Sequence, residues 1–225
     1  MTMPFGYVSP EQSMKDRADY ARKGIARGGS VIVLSFDEGV LLVAENRSRA
    51  LHKISEIYDR IAFAAVGKYN EYEQLRVAGI RLADVKGYQY AREDVTGRSL
   101  ANAYANALGA AFTESAKPFE VELLVAEIHA DDVELYHILY DGSITDEHGY
   151  VAIGGTAEAL TTHVGERFRE GLSRDEALGL ARESLGAAEK REIPHDRLEV
   201  AGLDHDRGRR KFVRLTDADI AAALG

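Results

Sequence analysis

The chain has no cysteine and no tryptophan, and only four prolines in 225 residues. Without cysteine there is no disulfide framework and no thiolate metal site, a pattern that fits a cytoplasmic protein. No apolar run approaches the roughly 18 residues that a membrane-spanning helix needs. The first residues show no basic segment followed by an apolar core, so no secretory signal is expected. Positive charge is also in deficit: 28 Lys and Arg stand against 37 Asp and Glu, a formal net charge of -9. That argues against nucleic acid as a partner. The densest basic group, Arg207 to Lys211 with Arg214, is flanked by Asp204 and Asp206 and reads as a solvated turn and edge strand. Gly154-Gly155-Thr156 lacks the Lys-Ser/Thr ending of a phosphate loop, so no nucleotide site or cofactor is expected. The seven histidines are scattered. Glu127 and His129 would share a strand face, but a metal needs more convergent ligands, and none is assigned.

What is present is 45% hydrophobic residues, enough for one sizeable core. Residues 28–67 organise the rest. Residues 31–34 and 40–44 are apolar runs around the turn Asp37-Glu38-Gly39, and residues 54–58 and 61–66 form a second pair around Asp59-Arg60. Short β-branched runs separated by turn residues predict antiparallel hairpins. The runs are nearly continuous, so both faces of this sheet are expected to be covered, with helices as the cover.

Helices are marked by their caps. Ser9-Pro10-Glu11-Gln12 starts one, with Met14, Ala18, Ala21 and Ile25 on a single face. Asn70-x-x-Glu73 predicts a helix to about Gly87, and residues 100–112 a further one. A helix from Ala157 to about Glu170 follows, then one from the capping box Ser173-x-x-Glu176 and a terminal one capped by Thr216. Strands are expected at residues 121–129, 133–140, 151–153, 198–203 and 211–215. Blocks of strands alternating with blocks of helices predict an α+β fold: two packed sheets with helices outside, a four-layer αββα sandwich. The helix before the first strand is extra to that sandwich, and a neighbouring subunit is expected to take part of its apolar face.

Four stretches carry a family resemblance: the turn at residues 37–40 leading to Glu45-x-Arg47 and then Lys53-Ile54; SPEQSMKDRADYARKGIARG at residues 9–28; GRSLAN at 97–102; and YDGSI at 140–144. Together they resemble a subunit of the proteasome family, within the N-terminal nucleophile (Ntn) hydrolase fold, and in particular the α-type subunits of actinobacterial 20S proteasomes. The resemblance spans nearly the whole chain. It implies the same sandwich over residues 28–225, an amphipathic helix at a ring interface over residues 9–27, and a gating tail over residues 1–8.

The resemblance also implies roles for single residues. In catalytic relatives an N-terminal threonine attacks the peptide carbonyl with its own α-amino group as base, which requires a free amine. Here the nucleophile's place matches Gly29, or Ser30 with a one-residue offset. The tuning aspartate and lysine match Glu45 and Lys53. A scaffold with its nucleophile removed is the implied reading, so no catalytic residue is assigned. Lys53 and Gly67 match the lysine and glycine of a pocket between subunits that receives the C-terminal carboxylate of an activator. Met1, Thr2, Met3, Pro4, Phe5, Gly6, Tyr7 and Val8 match tails that close a pore. The implied partners are six further copies in a heptameric ring, catalytic β subunits, a ring ATPase and Pup-tagged protein substrates. Two rivals stand beside this: an active Ntn amidohydrolase using Ser30 after processing, and a binding module that reuses the sandwich without rings.

Overall fold

The computed structural model describes residues 9–48, 50–129 and 132–225. The expected gate, residues 1–8, lies outside them. Helix α1 (Pro10–Ile25) precedes the first hairpin, β1 (Ser30–Phe36) and β2 (Gly39–Glu45). The second hairpin is β3 (Ile54–Tyr58) and β4 (Ile61–Gly67), followed by α2 (Tyr69–Gln89) and α3 (Gly97–Glu114). Then come β5 (Val121–Ile128), β6 (Val133–Ile138), β7 (Ile144–Glu147) and β8 (Tyr150–Gly154). Helices α4 (Ala157–Gly165) and α5 (Arg174–Glu189), strands β9 (Leu198–Asp204) and β10 (Phe212–Arg214), and α6 (Asp217–Leu224) complete the order.

The strands form two antiparallel sheets, ordered β10-β9-β2-β1-β8 and β3-β4-β5-β6-β7. Period-two alternation decides what each strand residue touches. Val31 and Val33 face the core between the sheets, whereas Ile32 and Leu34 face α4 and α5. On β4, Ala62, Ala64 and Val66 point between the sheets, while Ile61, Phe63 and Ala65 meet α2 and α3. The result is the expected αββα sandwich. Both faces of each sheet are covered, but helices cover only one of them; the other sheet covers the second. Near-continuous apolar runs do not distinguish these two kinds of cover.

Caps follow the sequence in most places. Ser9 accepts from Gln12 N at 3.2 Å, and Ser173 and Thr216 form full capping boxes. The Gln12 side chain does not complete a box; it donates to Asp16 instead. Asn70 is no cap, since α2 begins one residue earlier, after Lys68. Lys68 N is held by Glu120 O, of the residue before β5, at 2.9 Å, which sets the start of the helix. Helix α4 stops at Gly165 rather than near Glu170, and Phe168 turns back to stack on Tyr150, with ring centroids 5.1 Å apart.

Helix α1 divides its apolar face. Ala21 and Ile25 are buried in the inter-sheet core, so the sandwich itself takes that end. Met14 and Tyr20 remain exposed. Arg17 fastens the helix by donating to the carbonyls of Phe112 and Ala111 at the end of α3.

Among the described residues, the Tyr104 hydroxyl is buried with no hydrogen-bond partner. It lies against α2, where a Cβ at Gly79 would come within 1.7 Å of it. A buried unpaired hydroxyl costs about 1–3 kcal/mol. Tyr104→Phe keeps the ring packed on Phe63, 5.6 Å away between centroids, and removes only that cost. The variant is expected to unfold at a higher temperature than the wild type; a lower melting temperature in a thermal scan would refute this.

Candidate functional site

The β1–β2 hairpin and the start of β3 meet at the glycine pair before β1. Gly29 adopts φ +73, and a Cβ there would stand 2.9 Å from Lys53 Nζ. The lysine therefore faces Gly29, the position that the family resemblance implied for a nucleophile, and glycine has no side chain there. Lys53 Nζ donates to Glu45 O at 2.9 Å. Burial pushes the Lys53 ammonium below the usual lysine range, opposed by the carboxylates of Glu199, Glu45 and Glu189.

Glu45 ends β2 beside Lys53, as expected, but its carboxylate does not meet the ammonium. It turns to Arg191, with Arg47 3.9 Å away. Lys53 takes the main-chain carbonyl instead.

Ser30 opens β1 opposite Gly154 and is buried. Its Oγ shares a 2.8 Å hydrogen bond with Thr156 Oγ1 and accepts from Thr156 N at 3.1 Å. A hydroxyl fixed in this way is buried and lacks the exposure that attack on a carbonyl requires.

Gly67 lies on the other side of the glycine pair: a Cβ on Gly28 would come within 2.4 Å of Gly67 N. Gly67 has φ +107, and a Cβ on it would strike Glu120 O at 2.0 Å. Backbone conformation and contact both restrict this position to glycine. Lys53 and Gly67 thus approach the Gly28-Gly29 pair from its two sides.

Away from this turn, Glu127, His129 and Glu134 converge, their ligand atoms within 4.8 Å of one another. Glu127 already accepts from Arg60 Nε and Gly97 N, at 2.7 and 2.6 Å. The sequence placed Glu127 and His129 on one face; the cross-strand register adds Glu134, which pairs with Glu127.

Sequence reasoning missed Arg191 and Glu199, and read Arg214 as part of a solvated edge although it donates to the buried Glu199 and to Ile54 O. Glu199 had a signal, a carboxylate inside the apolar run Leu198-Glu199-Val200-Ala201, where a charge needs partners. Burial opposes its ionisation, yet hydrogen bonds from Lys53 N, Asn46, Arg214 and Ile54 N hold the carboxyl below its usual range.

A family model described as Proteasome subunit matches residues 25–202. The chain is 62% identical over 218 residues to a protein named Proteasome subunit alpha from Thermomonospora curvata, covering 96% of this chain and 94% of that one. A protein of the same name from Kineococcus radiotolerans is 59% identical over 234 residues, covering 100% and 98%. A third, from Streptosporangium roseum, is 60% identical over 217 residues, covering 96% and 84%.

Proposed function

The chain belongs to the proteasome subunit family, and we propose that it is a non-catalytic α subunit of a bacterial 20S core. Seven copies form an outer ring that stacks on rings of β subunits, and the β subunits carry the threonine nucleophiles. The ring templates β-ring assembly, gates entry through residues 1–8 and docks a ring ATPase that delivers Pup-tagged proteins in the cytoplasm. Residues 9–27 lie at the junction between neighbours, where the exposed Met14 and Tyr20 of α1 find an apolar surface.

One observation carries the reading: Lys53 is aimed at a glycine. The catalytic scaffold keeps its lysine and has no nucleophile in front of it. The same ammonium, half-buried next to the Gly28-Gly29 pair that Gly67 also approaches, suits a peptide C-terminal carboxylate. Among the described residues no helix is long and apolar enough to cross a membrane, in keeping with this role.

Electron microscopy of the purified chain, alone and mixed with candidate β subunits, tests the assembly. Seven-fold rings stacked on β rings are expected; a monomer that never associates with β subunits would favour the ring-free binding module. Intact mass tests the absence of catalysis. A chain that starts at Ser30 and cleaves peptides by itself would restore the amidohydrolase.

A further inference from the structure

We propose that Glu199 is the positioning residue of the Lys53 pocket: its buried carboxylate holds the main chain at Lys53 and Ile54 so that the ammonium faces the Gly29 turn. This rests on the reading of Lys53 as the group that meets a peptide carboxylate.

Glu199 stands on β9 opposite Ala44 of β2, in the sheet that does not contain β3, which Lys53 precedes. Its Oε2 accepts from Lys53 N at 3.0 Å and from Asn46 Nδ2 at 2.6 Å. Its Oε1 accepts from Ile54 N at 3.1 Å and Arg214 Nη1 at 2.8 Å, with His52 Nδ1 3.2 Å away. Two of these donors are the amides of Lys53 and Ile54, at the entry to β3. Asn46 also donates to Leu51 O at 2.8 Å, so the same bonds close the connection between β2 and β3.

The other end of Lys53 is fixed from the same pair of strands. Nζ donates to Glu45 O, and Glu45 lies opposite Leu198, the residue before Glu199. The backbone anchor and the ammonium anchor therefore belong to one rigid β2–β9 ladder. A side chain held at both ends cannot drift from the turn, and a docked carboxylate meets an ammonium already in place. Charge adds to geometry. Burial disfavours the ammonium, and Glu199 is foremost among the carboxylates that oppose this. Arg214, which also donates to Ile54 O, neutralises Glu199 from the far side.

Glu199→Gln tests the idea on the full-length chain assembled with its β subunits. The amide keeps the shape but puts an N–H2 group where a carboxylate oxygen accepted from donors. Two readouts are needed. The first is the pH profile of Lys53 acylation, by competitive labelling and mass spectrometry, with exposed Lys15 as internal reference. The second is the affinity of a short peptide ending in a free carboxylate, compared with its amidated form, for wild type, Glu199→Gln and Lys53→Ala.

The expected result is a Lys53 acylation midpoint displaced to lower pH, an unchanged Lys15, and a preference for the free carboxylate cut roughly tenfold, the equivalent of one pKa unit. A variant that melts earlier but keeps the wild-type Lys53 profile and carboxylate preference would make Glu199 a structural residue only and overturn the proposal. Lys53→Ala that retains full preference for the free carboxylate would instead sink the underlying reading of Lys53, while the acylation profile still decides whether Glu199 controls that lysine. Should Glu199→Gln not fold, Glu199→Asp draws the charge back by one methylene; a smaller displacement in the same direction is expected, and none would overturn the proposal.

Discussion

Replacing Lys53 with alanine is expected to abolish activator-driven degradation of protein substrates while heptameric rings and their β partners still assemble. The ammonium sits within 2.9 Å of Glu45 O and of the position a Gly29 Cβ would take, in a site where burial has weakened its hold on the proton. A carboxylate entering such a site exchanges water for this one cation. Truncating one partner of a desolvated pair costs about 2–5 kcal/mol, or tens- to thousands-fold in affinity for each tail. Several tails docking on one ring bind by avidity, so a loss repeated at every site compounds. The check is degradation of an unfolded protein by the reconstituted α, β and ATPase complex, with rings counted by electron microscopy. Docking that survives Lys53→Ala at physiological salt would remove Lys53 from the pocket.

Deleting residues 1–8 is expected to raise the hydrolysis of small peptides sharply when β subunits are present and no activator is added. The segment MTMPFGYV carries no charged side chain, so its side chains add no repulsion when seven copies meet on a ring axis, and Phe5 and Tyr7 supply bulk. The deletion stops short of the Ser9 cap, whose bond to Gln12 N is retained, so α1 keeps its start. The gain should be largest for the wild-type ring without activator and small once an activator is bound. Unchanged peptide turnover in the truncated complex would mean that these residues close nothing.

Much of the fold was legible because local rules and tertiary packing agree. The two hairpins of residues 30–67 follow from β-branched runs and their turns, and each pairs as expected. The caps at Ser9, Ser173 and Thr216 work because a side-chain oxygen meets an amide three residues on, whatever lies elsewhere. Asn70 failed as a cap because the main-chain bond of Lys68 N to Glu120 O, of the residue before β5, holds the start of α2 earlier. At the site, a Cβ on Gly29 would stand 2.9 Å from Lys53 Nζ, a proximity set by the tertiary fold. The Glu45 carboxylate does not meet that ammonium, because Arg191, far along the chain, draws it away.

The amino-acid order by itself determined the two hairpins, the caps at Ser9, Ser173 and Thr216, and the blocks of strands and helices that build four layers. It did so because these depend on period, turn chemistry and residue identity, which are local. Only the tertiary structure decided which charges answer one another. Glu199 reaches Lys53 N across 146 residues, and Arg214 reaches Ile54 O across 160, because β9 lies beside β2 in the sheet. A buried charge needs a partner, but the order of strands, not the spacing of residues, supplies it.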